Sequence, residues 1–222
     1  MAMAPPPKLH PPQISPIVLP EDLSPTAADA VLDGDQREGE LYEGIDFGAR
    51  DLEHTSFTGC AFRRVGLDQA RLRGAHFAEV TMTEVDAAGL TASRSAWRNV
   101  ELTGSRLGAA ELYESHWRSV VVTGSKISYL NARSARWQDV IFRDCTVGEL
   151  DLGGATLSRL TFERCQIATL DVRHAKLADV DLRGAELHIV KGLTGLAGSW
   201  ISERQLTELA PLLAAELKIT VT

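Results

Sequence analysis

The 222-residue chain has no apolar run near the ~18 residues that a membrane span needs. A helical membrane protein is therefore not expected. Its opening, Met1 to Lys8, lacks the apolar stretch of a signal peptide. Cysteine is scarce, with only Cys60, Cys145 and Cys165. Free buried thiols and a cytoplasmic protein are expected. A Cys145–Cys165 disulfide is the alternative, since the two lie 20 residues apart. Proline almost vanishes after residue 25, where eight of the nine have already occurred. Gly-rich phosphate loops, HExxH and CxxC pairs are all missing. No catalytic, cofactor or metal residues are assigned on these grounds, and an enzyme is not expected.

One frame of five runs from Ile45 to Ile189. Starting at Phe47 and stepping by five, all 29 centres are apolar, ending at Leu187. The residue two before each centre is small or apolar, with Arg50 the one charged exception. Charge is confined to the remaining positions. So strict a period marks a repeat architecture, in which each unit buries its apolar side only by stacking on its neighbours.

Three segments follow. Residues 1–44 are a Pro-rich, acidic lead-in, 45–189 the repeat body of 29 pentads, and 190–222 a C-terminal cap or dimerisation module. The net charge of −7 is uneven: residues 1–44 hold eight acids and two bases, whereas 45–189 hold 19 and 18. Pro5-Pro6-Pro7 and Pro11-Pro12 suggest extended polyproline II. Ile17-Val18-Leu19 could dock on the rod end, and Ser24-Pro25 could open a short helix through Leu32. Gly34, Gly39 and Gly44 keep the frame, but Arg37 would stand at a centre, so regular structure is expected from Leu41. Gly192, Gly195 and Gly198 mark turns. Ser202 and Gln205 read as a capping box before a helix carrying Leu206, Leu209, Leu213 and Leu217, which Pro211 should kink or split. Ile219-Thr220-Val221 suggests a short terminal strand.

Segments such as Ala70-Arg-Leu-Arg-Gly74, Val180-Asp-Leu-Arg-Gly184 and Ala185-Glu-Leu-His-Ile189 resemble the A(D/N)LXX pattern of the pentapeptide-repeat family. The resemblance implies an all-β solenoid, a right-handed quadrilateral β-helix of four pentads and 20 residues per coil, with a short C-terminal α-helical cap. The body would then make about seven coils and a rod of roughly 35 Å. It also implies a function. The family includes proteins that bind DNA gyrase, protect it from quinolones or peptide toxins by mimicking the shape and charge of DNA, and dimerise end to end through a C-terminal helix.

A 20-residue coil can be tested within the sequence. Trp97, Trp117 and Trp137 would stack, with Phe57 and Phe77 below and Leu157 and Leu177 above. Ala87, Ala92 and Ala132 would offset the indole volume. The segments starting at Val80, Val100, Val120 and Val140 read as strands. Thr83, Thr103 and Thr123 would form a ladder, Gly104 and Gly124 would turn the corner, and Val121 and Ile141 would point outward. His76 and His116 would share a column two coils apart, too far for one metal.

Three surfaces are candidates for partner binding. One side carries Asp46, Asp68, Asp86, Glu149 and Glu186, interrupted by Arg106 and Lys126. The tryptophan-backed side carries Arg98, Arg118, Arg136, Arg159 and Lys176, against Glu79, Asp139 and Asp179. The C-terminal leucines would cap the last coil or form a homodimer. The expected function is a non-enzymatic protein-binding rod. DNA gyrase or another type II topoisomerase is the specific partner, and a general interaction scaffold is the alternative. Direct nucleic-acid or membrane binding is not expected. DNA mimicry calls for rows of carboxylates, and the near-neutral body stands against it.

Overall fold

A computed structural model describes residues 8–220. Pro5-Pro6-Pro7 and Val221 lie outside them. The chain winds into a four-sided parallel β-helix that ends in one helix, α1, Glu203–Glu216. Stacking follows the 20-residue period: Trp97 pairs with Trp117, and Trp117 with Trp137. The four sides are named here by their centres, starting with the first face at Phe47, the second at Leu52, the third at Phe57 and the fourth at Phe62. The third and fourth faces share a 12-stranded sheet, and a six-stranded sheet runs along the first.

Residues two apart in each pentad both point inward, as the buried Ser95 and Trp97 or Val140 and Phe142 do. The core is therefore one column of apolar side chains per face. Phe57, Phe77 and the three tryptophans form a continuous aromatic stack, with Trp117 and Trp137 ring centroids 4.3 Å apart. Ala87, Ala92 and Ala132 are buried in the same coils. The three cysteines are buried and free. Contact with the Cys145 thiol, then burial, pushes the Cys165 thiol strongly up, which keeps it protonated.

Corners need left-handed backbone, and many are not glycine. Along the second face a turn closes with Thr55 N–H donating to Leu52 O, with His54 at φ 59°, the positive φ that a type II turn demands. The Asp or Asn before a centre serves the same corner. Asp51, Asp151, Asp171 and Asp181 each accept the N–H two residues on. The polar residue of the repeat pattern thereby satisfies a turn donor that has no strand partner. Gly108 is required for a different reason, because a Cβ there would sit 2.2 Å from Ala88 O of the coil below.

Both ends extend the rod beyond the expected seven coils. Regular pairing begins at Gln36, not Leu41, with Gln36–Glu38 paired to Ser56–Thr58. Arg37 does occupy a centre. It is tolerated because that coil is the first, at the rod's end, so its guanidinium closes the core with Glu40 at 2.8 Å and Asp35 at 3.5 Å. Arg50, the other exception, reaches the same end and donates to Val31 O at 3.0 Å. Ser24-Pro25 is a strand on Glu40-Leu41 instead of a helix start, and the helical turn that follows spans only Ala28–Ala30. At the far end, Ser199-Trp200 adds a last strand to Val180-Asp181. Ten strands thus stack along the fourth face, a length of about 43 Å at ~4.8 Å per step.

The C-terminal cap rests on the last coil through close glycine contacts. A Cβ on Gly195 or Gly198 would meet Val172 O or Leu177 O at 2.0 Å or less. The capping box forms, and Gln205 Nε2 also donates to Leu182 O and Ala185 O at 2.7 and 2.8 Å. These are carbonyls that a further coil would otherwise have paired. Pro211 does not split α1. The N–H it lacks would have bonded the Thr207 carbonyl on the exposed side, where water can substitute. Ile219 forms no strand. Lys218 takes φ 58°, and the Lys218 and Ile219 N–H groups bond to Ala215 O and Ala214 O, a Schellman cap.

Candidate functional site

A strap precedes the first coil. Residues 8–20 run extended along the corner between the third and fourth faces, against the direction of coil growth. His10 N–H donates to Asp179 Oδ1 at 3.1 Å, Gln13 N–H to Asp139 Oδ1 at 2.8 Å, and Ser15 N–H to Ser119 Oγ at 2.9 Å. Pro20 packs beside Gly59 and Gly39. From His10 to Ser15 the strap descends three coils in five residues, about 2.9 Å per residue, close to polyproline II. Leu9, Pro12, Ile14, Ile17 and Leu19 are half-buried along it. Ile17 and Leu19 thus lie along the side of the rod, not on its end as expected, and Val18 is exposed.

Two carboxylates hold the strap. Burial raises the pKa of Asp139, but Arg159, the Gln13 N–H and Gln138 outweigh it and leave the carboxyl below its usual range. Asp179 is lowered mainly by the His10 N–H. Sequence patterning did not reveal this strap. Its signal was the polar column Asn99, Ser119, Asp139 and Asp179 at one corner, matched by prolines and spaced apolar residues ahead of the first coil.

The basic side divides in two once the strap is placed. Arg159 sits at the strap corner and clasps Asp139 with two bonds, at 2.5 and 2.8 Å. Asp139 and Asp179 are therefore occupied. Arg98, Arg118, Arg136 and Lys176 lie instead on the flat third face, all exposed. Arg98 pairs in register with Arg118, and His116 with Arg136. Arg98, Arg118, His116 and Arg136, but not Lys176, rim an open groove of about 480 Å³ whose floor is formed by Trp97, Trp117 and Trp137.

The acidic side is more dispersed. Asp86, Arg106 and Lys126 stack in one column. Asp46 accepts Gly48 N–H and Asp68 accepts Gly89 N–H. Glu149 is bound to Lys191 at 2.9 Å. Glu186 stands exposed five coils beyond Asp86. No continuous carboxylate row results. The C-terminal leucines also divide. Leu209 is buried against the rod, Leu213 is half-buried, and Leu206 and Leu217 are 51% and 69% exposed.

Among the described residues, no helix is long and apolar enough to cross a membrane, and no three His, Cys, Asp or Glu residues gather as a metal site. His76 and His116 are separated by Ala96 in one column.

The pentapeptide-repeat family model matches the chain in eight copies, with residues 43–77 matched. No curated protein matches in sequence. Among solved structures, a trypsin-treated variant of QnrB1, a plasmid-mediated fluoroquinolone resistance protein, is 20% identical, with 86% of this chain and 93% of that chain covered and a TM-score of 0.38. Full-length QnrB1 is 18% identical, with 85% and 94% covered and a TM-score of 0.30. HetL, a pentapeptide repeat protein involved in heterocyst differentiation regulation from the cyanobacterium Nostoc sp. strain PCC 7120, is 16% identical, with 77% and 91% covered and a TM-score of 0.29.

Proposed function

We propose that this pentapeptide-repeat protein is a non-enzymatic rod that acts in the cytoplasm by binding another protein. One observation carries the reading. The side chains that could do chemistry are spread over open, flat faces, while the interior is filled by stacked apolar columns with a cavity of only about 20 Å³ beside Trp97 and Trp117. A surface of this kind selects partners by shape and charge.

A type II topoisomerase such as DNA gyrase is the specific partner to test first. The rod's length and its frame without inserted loops support it. The column Asp86, Arg106, Lys126 weighs against a DNA-shaped mimic, because two cations stand where phosphate charge should continue. A supercoiling assay with purified gyrase and a quinolone decides the matter. Inhibition of supercoiling or relief of the drug supports the topoisomerase reading, and no effect on either refutes it. A general protein-interaction scaffold is the second reading, supported by the unpaired cations of the third face.

A homodimer through α1 is part of the proposal. Leu206, Leu212 and Leu217 are exposed on the helix, and an apolar surface left open at a rod end suits a two-fold contact. Light scattering should give twice the monomer mass, falling to the monomer in Leu206→Glu with Leu217→Glu. A monomeric wild type refutes the dimer.

A further inference from the structure

Five arginines elsewhere on the rod find acids one coil away, while Arg63, Arg73 and Arg106 make no ion pair among the described residues. Arg64 pairs with Glu43, Arg71 with Asp51, Arg94 with Glu114, Arg143 with Glu163 and Arg164 with Asp144. The third face differs in gathering three unpaired arginines within two coil steps. Arg98 lies directly in register with Arg118, and like charges placed opposite one another in a sheet repel. Arg136 follows one coil on, in register with His116. Among the described residues Arg98, Arg118, Arg136 and Lys176 make no ion pair. The nearby acids Asp139 and Asp179 are already committed to Arg159 and the strap. The strap lines no part of the groove.

We propose that the third face is a docking site for an extended, acidic protein segment. The reading rests on the rod being a protein-binding surface and names which surface and which chemistry. Arg98, Arg118 and Arg136 would bind carboxylates, and an apolar residue of the segment would lie in the groove over Trp97, Trp117 and Trp137. From Arg98 to Arg136 the face advances two coils, about 10 Å. Same-side residues of an extended peptide repeat every ~6.6 Å, so two or three carboxylates span it, and guanidinium forks match them in pairs. The size of the cluster decides against a nucleic acid, because so few cations neutralise few of the phosphates that dominate such binding.

The test uses a fluorescein-labelled ten-residue peptide alternating Glu and Val, a Lys–Val counterpart and a ten-nucleotide oligo-dT, read by anisotropy on the full chain. The Glu–Val peptide should bind, weaken as salt rises, and bind at least tenfold more weakly to Arg98→Gln/Arg118→Gln/Arg136→Gln. Arg164→Gln, on another corner, should bind as wild type does. Far-UV circular dichroism should show both variants folded, since the altered side chains are exposed. Failure of the Glu–Val peptide to bind overturns the site, as does unchanged binding by the triple variant. Tighter binding of oligo-dT that the same three substitutions abolish overturns the protein occupant. Any of these results leaves the rod's protein-binding function standing if a partner cross-links to another face. The absence of any partner on any face removes that broader reading.

Discussion

Truncating Trp117 to alanine removes the middle ring of the aromatic stack. Trp117 is 5% exposed and lies between Trp97 and Trp137, at centroid distances of 5.6 and 4.3 Å. An indole buries about 150–250 Å², worth roughly 4–6 kcal/mol at ~25 cal/mol per Å². Alanine keeps a part of that. The coils above and below are held by parallel ladders, so the void cannot readily collapse, and a loss of about 3–5 kcal/mol is expected. Replacement by phenylalanine is more discriminating. Trp97 and Trp137 donate their ring N–H to Ser95 and Ser115, whereas the buried Trp117 Nε1 has no partner. A buried donor without an acceptor costs about 1–3 kcal/mol. Trp117→Phe removes that cost and should destabilise by at least ~1 kcal/mol less than Trp97→Phe, which loses the bond to Ser95 Oγ while Ser95 keeps its own bond to Ala92 O. Urea unfolding followed by circular dichroism measures all three variants. Equal losses in the two Phe variants would refute the hydrogen-bond assignment, and a neutral Trp117→Ala would refute the packed stack.

Asp139→Ala should free the strap, with loss of a charge-assisted bond worth about 1.5–3 kcal/mol. Limited proteolysis should then cut within residues 10–20 while the rod stays intact. The Asp139 and Asp179 carboxyls are held below their ordinary 3.8, so their contribution is full above that pH and lost as pH falls through their lower folded values. The Gln13 amide signal in NMR should move toward a solvated position only in that acid range, and release near neutral pH would contradict the assignment. Gln205→Ala leaves Ala185 O without its partner and Leu182 O with only the Ala185 N–H. It should expose α1 to hydrogen exchange at a cost of about 1–3 kcal/mol, and unchanged protection would show that Leu209 alone holds the cap. Gly108→Ala forces a methyl toward Ala88 O and should cost about 1–3 kcal/mol. Gly89→Ala, with open space, should be near neutral, and a similar Tm for both would refute the close-approach reading.

Much of the rod is legible because a pentad couples one inward centre to one corner. Phe47 through Leu187 could be read by counting, and the tryptophans alone carry the 20-residue register. The ends escape that logic. Arg37 and Arg50 break the apolar rule yet remain in the coil, because an end coil has solvent beneath it and a guanidinium can meet both core and water. The strap escapes for another reason. Its contacts join residues 104 to 169 positions apart, and no local period records a pairing between a proline-rich arm and a polar corner. The third face was visible as mildly basic. Its lack of counter-charge was not, because Asp139 and Asp179 look like neutralising neighbours until the strap and Arg159 are seen to occupy them.

In-cell photo-cross-linking tests the protein-binding claim most directly. A photoreactive amino acid would replace, in turn, Asp86 on the first face, Tyr113 on the second, Arg118 on the third and Val121 on the fourth. The account predicts a cross-link to a distinct protein from at least one face, strongest from position 118. A folded rod that yields no cross-linked protein from any of the four positions would contradict it.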